Sequence, residues 1–85
     1  SSVEDLILEH VDFTTDYPKP VQMTKLLRDL GIKSPRMPDF KEAARVLHEK
    51  GIEARRTNGK KVYDISYTKV EDDGFTDYSS KFGDD

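Results

Sequence analysis

Residues 39–67 read DFKEAARVLHEKGIEARRTNGKKVYDISY: a helix, a glycine stop, a strand, an Asn-Gly turn and a second strand. Asp39 is a helix-capping residue type, and Glu42 stands three residues on. That is the spacing of a capping box, in which each side chain takes a backbone N–H of the first turn. Phe40, Ala43, Ala44 and Leu47 recur at the i, i+3, i+4, i+7 spacing that lays apolar side chains along one helix face. Gly51 supplies the left-handed residue that ends a helix, and Ile52 follows where the chain folds back on the last turn.

Asn58-Gly59 between two extended runs predicts a two-residue type I′ hairpin, since both central residues need positive φ. A loop of that length sets the register. Thr57 faces Lys60, Arg56 faces Lys61, Arg55 faces Val62, Ala54 faces Tyr63 and Ile52 faces Ile65. Alternation then gathers Ile52, Ala54, Tyr63 and Ile65 on the core face. Arg55, Arg56, Lys60 and Lys61 crowd the tip, with Arg56 directly across from Lys61. Like charges opposed in a sheet cost roughly 0.2–1 kcal/mol. A polyanion reverses the sign, because cations placed at phosphates release condensed counterions. The alternative is a solvated hairpin with no partner, a common fate of charge runs.

The chain has 85 residues, enough for one small domain. An ordered part of roughly 65 residues implies a modest core. Cysteine is absent, which excludes a disulfide framework, a zinc finger and thiol chemistry. No apolar run approaches a membrane span and no signal peptide is visible, so a soluble, cytoplasmic protein is expected. A start at Ser-Ser rather than Met suggests a piece of a longer protein. The net charge of −3 is unevenly spread: residues 1–20 hold one basic against five acidic residues, residues 21–67 eleven against six, and residues 68–85 two against six. A basic block therefore lies between two acidic ends, and the local patch is what a partner meets.

Upstream, Ser2 is a helix cap with Asp5 three residues on, and Val3, Leu6, Ile7, His10 and Val11 share a face of a first helix. Phe13-Thr14-Thr15 suggests a short strand, with Phe13 and Tyr17 covering the core and a base-stacking pair as the alternative. Tyr17-Pro18-Lys19-Pro20 is extended, and Pro20 suits the first position of a second helix running to Leu30. Met23, Leu26, Leu27 and Leu30 form its apolar face, and Gly31-Ile32 repeats the later Gly-Ile ending. Residues 33–38 connect to the third helix. From Glu71 onward the chain is acidic and without periodicity, so residues 68–85 are expected to be a disordered tail, and Phe75, Tyr78 and Phe82 within it are read as tail, with a partner-binding motif as the alternative.

This order of helix, short strand, helix, helix and two-stranded ribbon predicts an α+β winged helix-turn-helix: three helices, a small antiparallel sheet and a β-hairpin wing, over residues 1–67. The second helix of such a pair enters the major groove of DNA. Lys41, Arg45 and His48 fall within about 60° of one another on the third helix and are the groove-facing candidates. Lys33 and Arg36 are placed to reach phosphates from the connection. Arg55, Arg56, Lys60 and Lys61 are the wing candidates, with Asn58 at the turn. Glu49 lies on the strip beside the helix candidates. There is no P-loop, no catalytic triad and no paired-carboxylate cleft, and His10 and His48 lack zinc spacing. The expectation is a binding domain without cofactor or metal rather than an enzyme.

From Phe40 the pattern F-x3-A-x2-L-x3-G-I-x2-R-R-x-N-G-K-x2-Y-x-I resembles the winged-helix domain that closes phage and plasmid primase-helicases of the poxvirus type, where it follows a superfamily 3 helicase motor. The resemblance rests on Phe40, Leu47, Gly51, Arg55, Asn58, Gly59, Lys60, Tyr63 and Ile65. The family often has glycine after the aromatic of the last strand, where this chain has Asp64. The resemblance implies a module that binds origin or template double-stranded DNA within a larger replication protein. A free-standing transcriptional regulator is the second possibility; it would dimerise, and no spare apolar helix is present for that, so a monomer is expected. The third is a winged helix that binds protein through its acidic ends.

Overall fold

The computed structural model describes residues 2–68. Helix α1 spans Val3–His10, strand β1 Lys19–Val21, α2 Met23–Asp29, α3 Met37–Glu49, β2 Arg55–Thr57 and β3 Lys60–Ile65. The strands form one antiparallel sheet in the order β1-β3-β2. Three helices and a small antiparallel sheet ending in a hairpin match the winged-helix plan. Among the described residues, no helix is long and apolar enough to cross a membrane.

The helix ends follow local chemistry. Ser2 Oγ accepts the Asp5 N–H at 3.1 Å and so caps α1. Gly31 (φ 98°) and Gly51 (φ 87°) adopt the left-handed conformation. Behind them Ile32 donates to the Leu27 carbonyl at 2.9 Å, and Ile52 to the Leu47 carbonyl at 2.8 Å, the long-range bond that closes a Schellman end. Each isoleucine is thereby turned onto the core.

The start of α3 differs from the sequence reading. The helix begins at Met37, with Arg36 as the residue before it and Pro38 inside the first turn, where a missing N–H costs nothing. Asp39 is thus not the cap; its carboxylate accepts the Arg36 N–H at 2.9 Å from within the first turn. Glu42 is not its box partner either. It accepts the Glu4 N–H at 3.1 Å and satisfies a free donor at the start of α1, across the helix pair.

The strand expected at Phe13–Thr15 is absent, and β1 lies at Lys19–Val21. Asp12 captures both the Thr14 N–H (2.8 Å) and its hydroxyl (2.7 Å), and Thr15 Oγ1 accepts the Tyr17 N–H at 3.2 Å. Such local bonds compete with a ladder and bend the chain. Pro20 accordingly does not open a helix. It sits in β1 opposite Asp64, and β1 is an edge strand, the place in a sheet where proline is tolerated. Gln22 then precedes α2. Phe13 packs against the core, with the Lys50 ammonium 5.6 Å from its ring centroid. Tyr17 does not; it is 83% exposed.

The hairpin has the predicted register at Thr57–Lys60, Arg56–Lys61 and Arg55–Val62, with Asn58 at φ 53° and Gly59 at φ 77°. The ladder stops there. Ile52 is held at the end of α3, so residues 52–54 peel away from β3, and Ala54 is exposed rather than buried. β3 ends at Ile65, and a bridge between Val11 and Tyr67 carries the pairing on to the end of α1.

One core holds the layers together: Val3 and Ile7 from α1, Val11 just after it, Leu26 and Leu27 from α2, Ala43, Val46 and Leu47 from α3, and Val21, Tyr63 and Ile65 from the sheet. Of the expected tail, residues 69–85 lie outside the described residues, whereas the Thr68 N–H donates to the His10 carbonyl at 2.8 Å.

Candidate nucleic-acid interface

Register decides where the wing cations stand. Arg56 and Lys61 are paired and lie on the sheet face that carries Tyr63 and Ile65 farther along β3, because side chains alternate with period two. Arg55 and Lys60 lie on the opposite face with Val62 and Asp64. The four cations are therefore split two and two rather than crowded together.

Their electrostatics differ as well. Arg55 Nε and Nη2 donate to the two oxygens of Asp64, both at 2.8 Å, a bidentate fork across the strands. The guanidinium holds the Asp64 carboxyl below the usual carboxylate range, and hydrogen bonding to that carboxylate raises Arg55 in turn. Arg55 thus departs from the expected picture of an unmatched tip cation. Among the described residues Arg56, Lys60 and Lys61 make no ion pair; Arg56 makes one long hydrogen bond to the Gly59 carbonyl, at 3.4 Å. Asn58 serves the turn.

The same division runs through α3. Arg45 is bound by Glu49 at 3.0 Å and Glu4 at 3.5 Å, and the Glu49 hydrogen bond chiefly raises its pKa. Glu49, which lacked a role in the sequence, is the partner of a candidate. His48 Nδ1 meets the Glu53 carboxylate. Lys41 makes no ion pair among the described residues, nor do Lys33 and Arg36. Lys33 and Arg36 are exposed in the connection before α3.

Lys41 and Lys61 come together at one place. Both line a cleft of about 440 Å³ between the start of α2, the first half of α3 and β3. Met23, Phe40, Ala44 and Tyr63 give it apolar walls, and among the described residues no carboxylate lines it. Met37 stands at its edge, 64% exposed. Sequence reasoning did not name these apolar residues as part of a site. A signal was present, since Met37, Phe40 and Ala44, at i, i+3, i+7 spacing, widen the apolar face of α3 beside the core positions Ala43, Val46 and Leu47. Among the described residues there is no group of three His, Cys, Asp or Glu side chains placed to hold a metal ion.

Compared with protein-family models, with curated proteins and with solved structures, the chain finds no match.

Proposed function

We propose that this domain is a DNA-binding winged-helix module in which Lys41 of α3 and Arg56, Lys60 and Lys61 of the wing engage phosphates, with Lys33 and Arg36 as outlying contacts. The observation that carries the reading is the clustering of Arg56, Lys60 and Lys61 at the wing tip, where none of the three makes an ion pair among the described residues. Arg45, His48 and Arg55 are matched by carboxylates, whereas the cations at the wing tip and at the cleft are left without one among the described residues. Arg56 and Lys61 face each other across the strands at a cost to the isolated domain, and a polyanion converts that cost into binding. The resemblance to primase-helicase wings would make the parent a replication protein of a mobile element.

Contact of three of the ten candidates with carboxylates of the same chain favours a second reading, a winged helix that binds protein. Titration of duplex DNA at several salt concentrations decides between them. For the DNA reading, affinity falls steeply with salt, and each of Lys41→Gln, Arg56→Gln, Lys60→Gln and Lys61→Gln flattens the log–log slope by about 0.9 per lost phosphate contact. Binding by the quadruple variant indistinguishable from the parent chain would overturn it.

A further inference from the structure

The cleft between α3 and the sheet is built for more than phosphate. Its lining is apolar on the walls, neutral and polar at Gln22 and Thr24, and cationic at Lys41 and Lys61. A ligand that met the whole lining would combine an apolar body, hydrogen-bonding edges and negative charge. Continuous duplex offers phosphates and base edges, but its base faces are hidden in the stack. Such a ligand satisfies the two lysines and leaves the walls facing water. An unpaired nucleotide meets every part of the lining. Its base has a flat apolar face for the half-buried Phe40 and Met23, its edge has donors and acceptors, and its phosphate reaches the lysines.

We infer that the cleft receives an unpaired nucleobase, so that the preferred ligand is duplex carrying a single-stranded end, with the wing cations on the adjoining phosphates. This rests on the nucleic-acid reading above and specifies it. The volume of about 440 Å³ lies within the range of small-ligand sites, and the cleft adjoins the cationic face of the wing through Lys61.

The chain itself supplies the probe. It has two methionines, Met23 and Met37, and both line the cleft, so their ¹³C-methyl resonances report its occupancy. The full chain is titrated with a blunt duplex, the same duplex bearing a short thymidine overhang, and a third in which the overhang keeps its phosphates but is abasic. The thymidine overhang is expected to bind about tenfold more tightly than either other probe, within what one stacked base contributes. Both methyl resonances should move with it and stay in place with the abasic overhang.

Equal affinity for thymidine and abasic overhangs overturns the inference, because phosphates alone would explain the gain. Equal affinity for all three probes also overturns it, while leaving DNA binding intact. A thymidine preference with unmoved methyls places the base elsewhere and overturns it too. If no probe binds, both readings fall. A shift of the methyls on Phe75→Ala or Tyr78→Ala without nucleic acid would give the cleft to the acidic, aromatic segment of the same chain, against the inference.

Discussion

At the scale of single residues, charge pairing outweighs charge count. Ten positions qualify as contacts by residue type, yet Arg45, His48 and Arg55 already have carboxylates. Asp64 is the informative one, because it faces Arg55 diagonally across the hairpin. Its pairing was open to register arithmetic, since Arg55 opposite Val62 puts Asp64 on the same face one step along. The partners of Arg45 and Glu42 on α1 were not, because that contact spans 38 or more residues and depends on how α1 crosses α3. Removing Asp64 should return Arg55 to solution and delete a carboxylate from the wing. Asp64→Asn is therefore expected to tighten duplex binding and steepen its salt slope by about one unit, with a small loss of thermal stability. An unchanged slope in fluorescence anisotropy would show that Arg55 reaches no phosphate even when free.

At the scale of elements, what could be read in the sequence is what neighbouring residues decide. The Gly-Ile helix ends and the Asn-Gly hairpin are closed by residues within a few positions of one another, and both match the structure. β1 escaped because its partner is β3, more than 40 residues away, and nothing in Lys19–Val21 alone distinguishes an edge strand from a helix start. Met37 was missed as the start of α3 because Asp39 is a good cap type, and only the helix itself shows its carboxylate turned back to Arg36. The wing turn gives a direct test of the local part. Gly59 sits at φ 77°, and a Cβ built there meets nothing within 4 Å, so Gly59→Ala carries only the backbone penalty of the left-handed region. The expected cost is about 1–2 kcal/mol, read as a lower denaturation midpoint at unchanged m-value. Asn58→Gly at the neighbouring position should be close to neutral. A neutral Gly59→Ala would mean that the turn is not held as described.

At the scale of the whole molecule, the sheet is tied to the helices by a polar contact at the far end from the wing. The Tyr67 hydroxyl donates to Asp29 Oδ2 at 2.7 Å, and Lys25 donates to the same oxygen at 3.0 Å. This links the residues after β3 to α2 across 38 positions of sequence. The Tyr67 and Lys25 bonds hold the Asp29 carboxyl below its ordinary value, while burial first, and the Asp29 carboxylate second, push the Tyr67 hydroxyl above its own. A carboxylate lowered in the folded state stabilises it above about pH 4, and that contribution is lost as pH falls through the folded value. A phenol raised in the folded state stabilises it fully below about pH 10, and that contribution is lost as pH rises beyond. Stability should therefore be flat between these limits and decline on both sides. Asp64, lowered by Arg55, adds to the acid limb alone. Tyr67→Phe removes the donor and the ionisable group together, so it should flatten the alkaline limb and shrink the acid one, whereas Asp64→Asn should shrink only the acid limb. Urea midpoints measured from pH 3 to pH 11 on the three proteins separate these outcomes. An alkaline limb unchanged by Tyr67→Phe would assign the loss of stability to lysine deprotonation instead of to this contact.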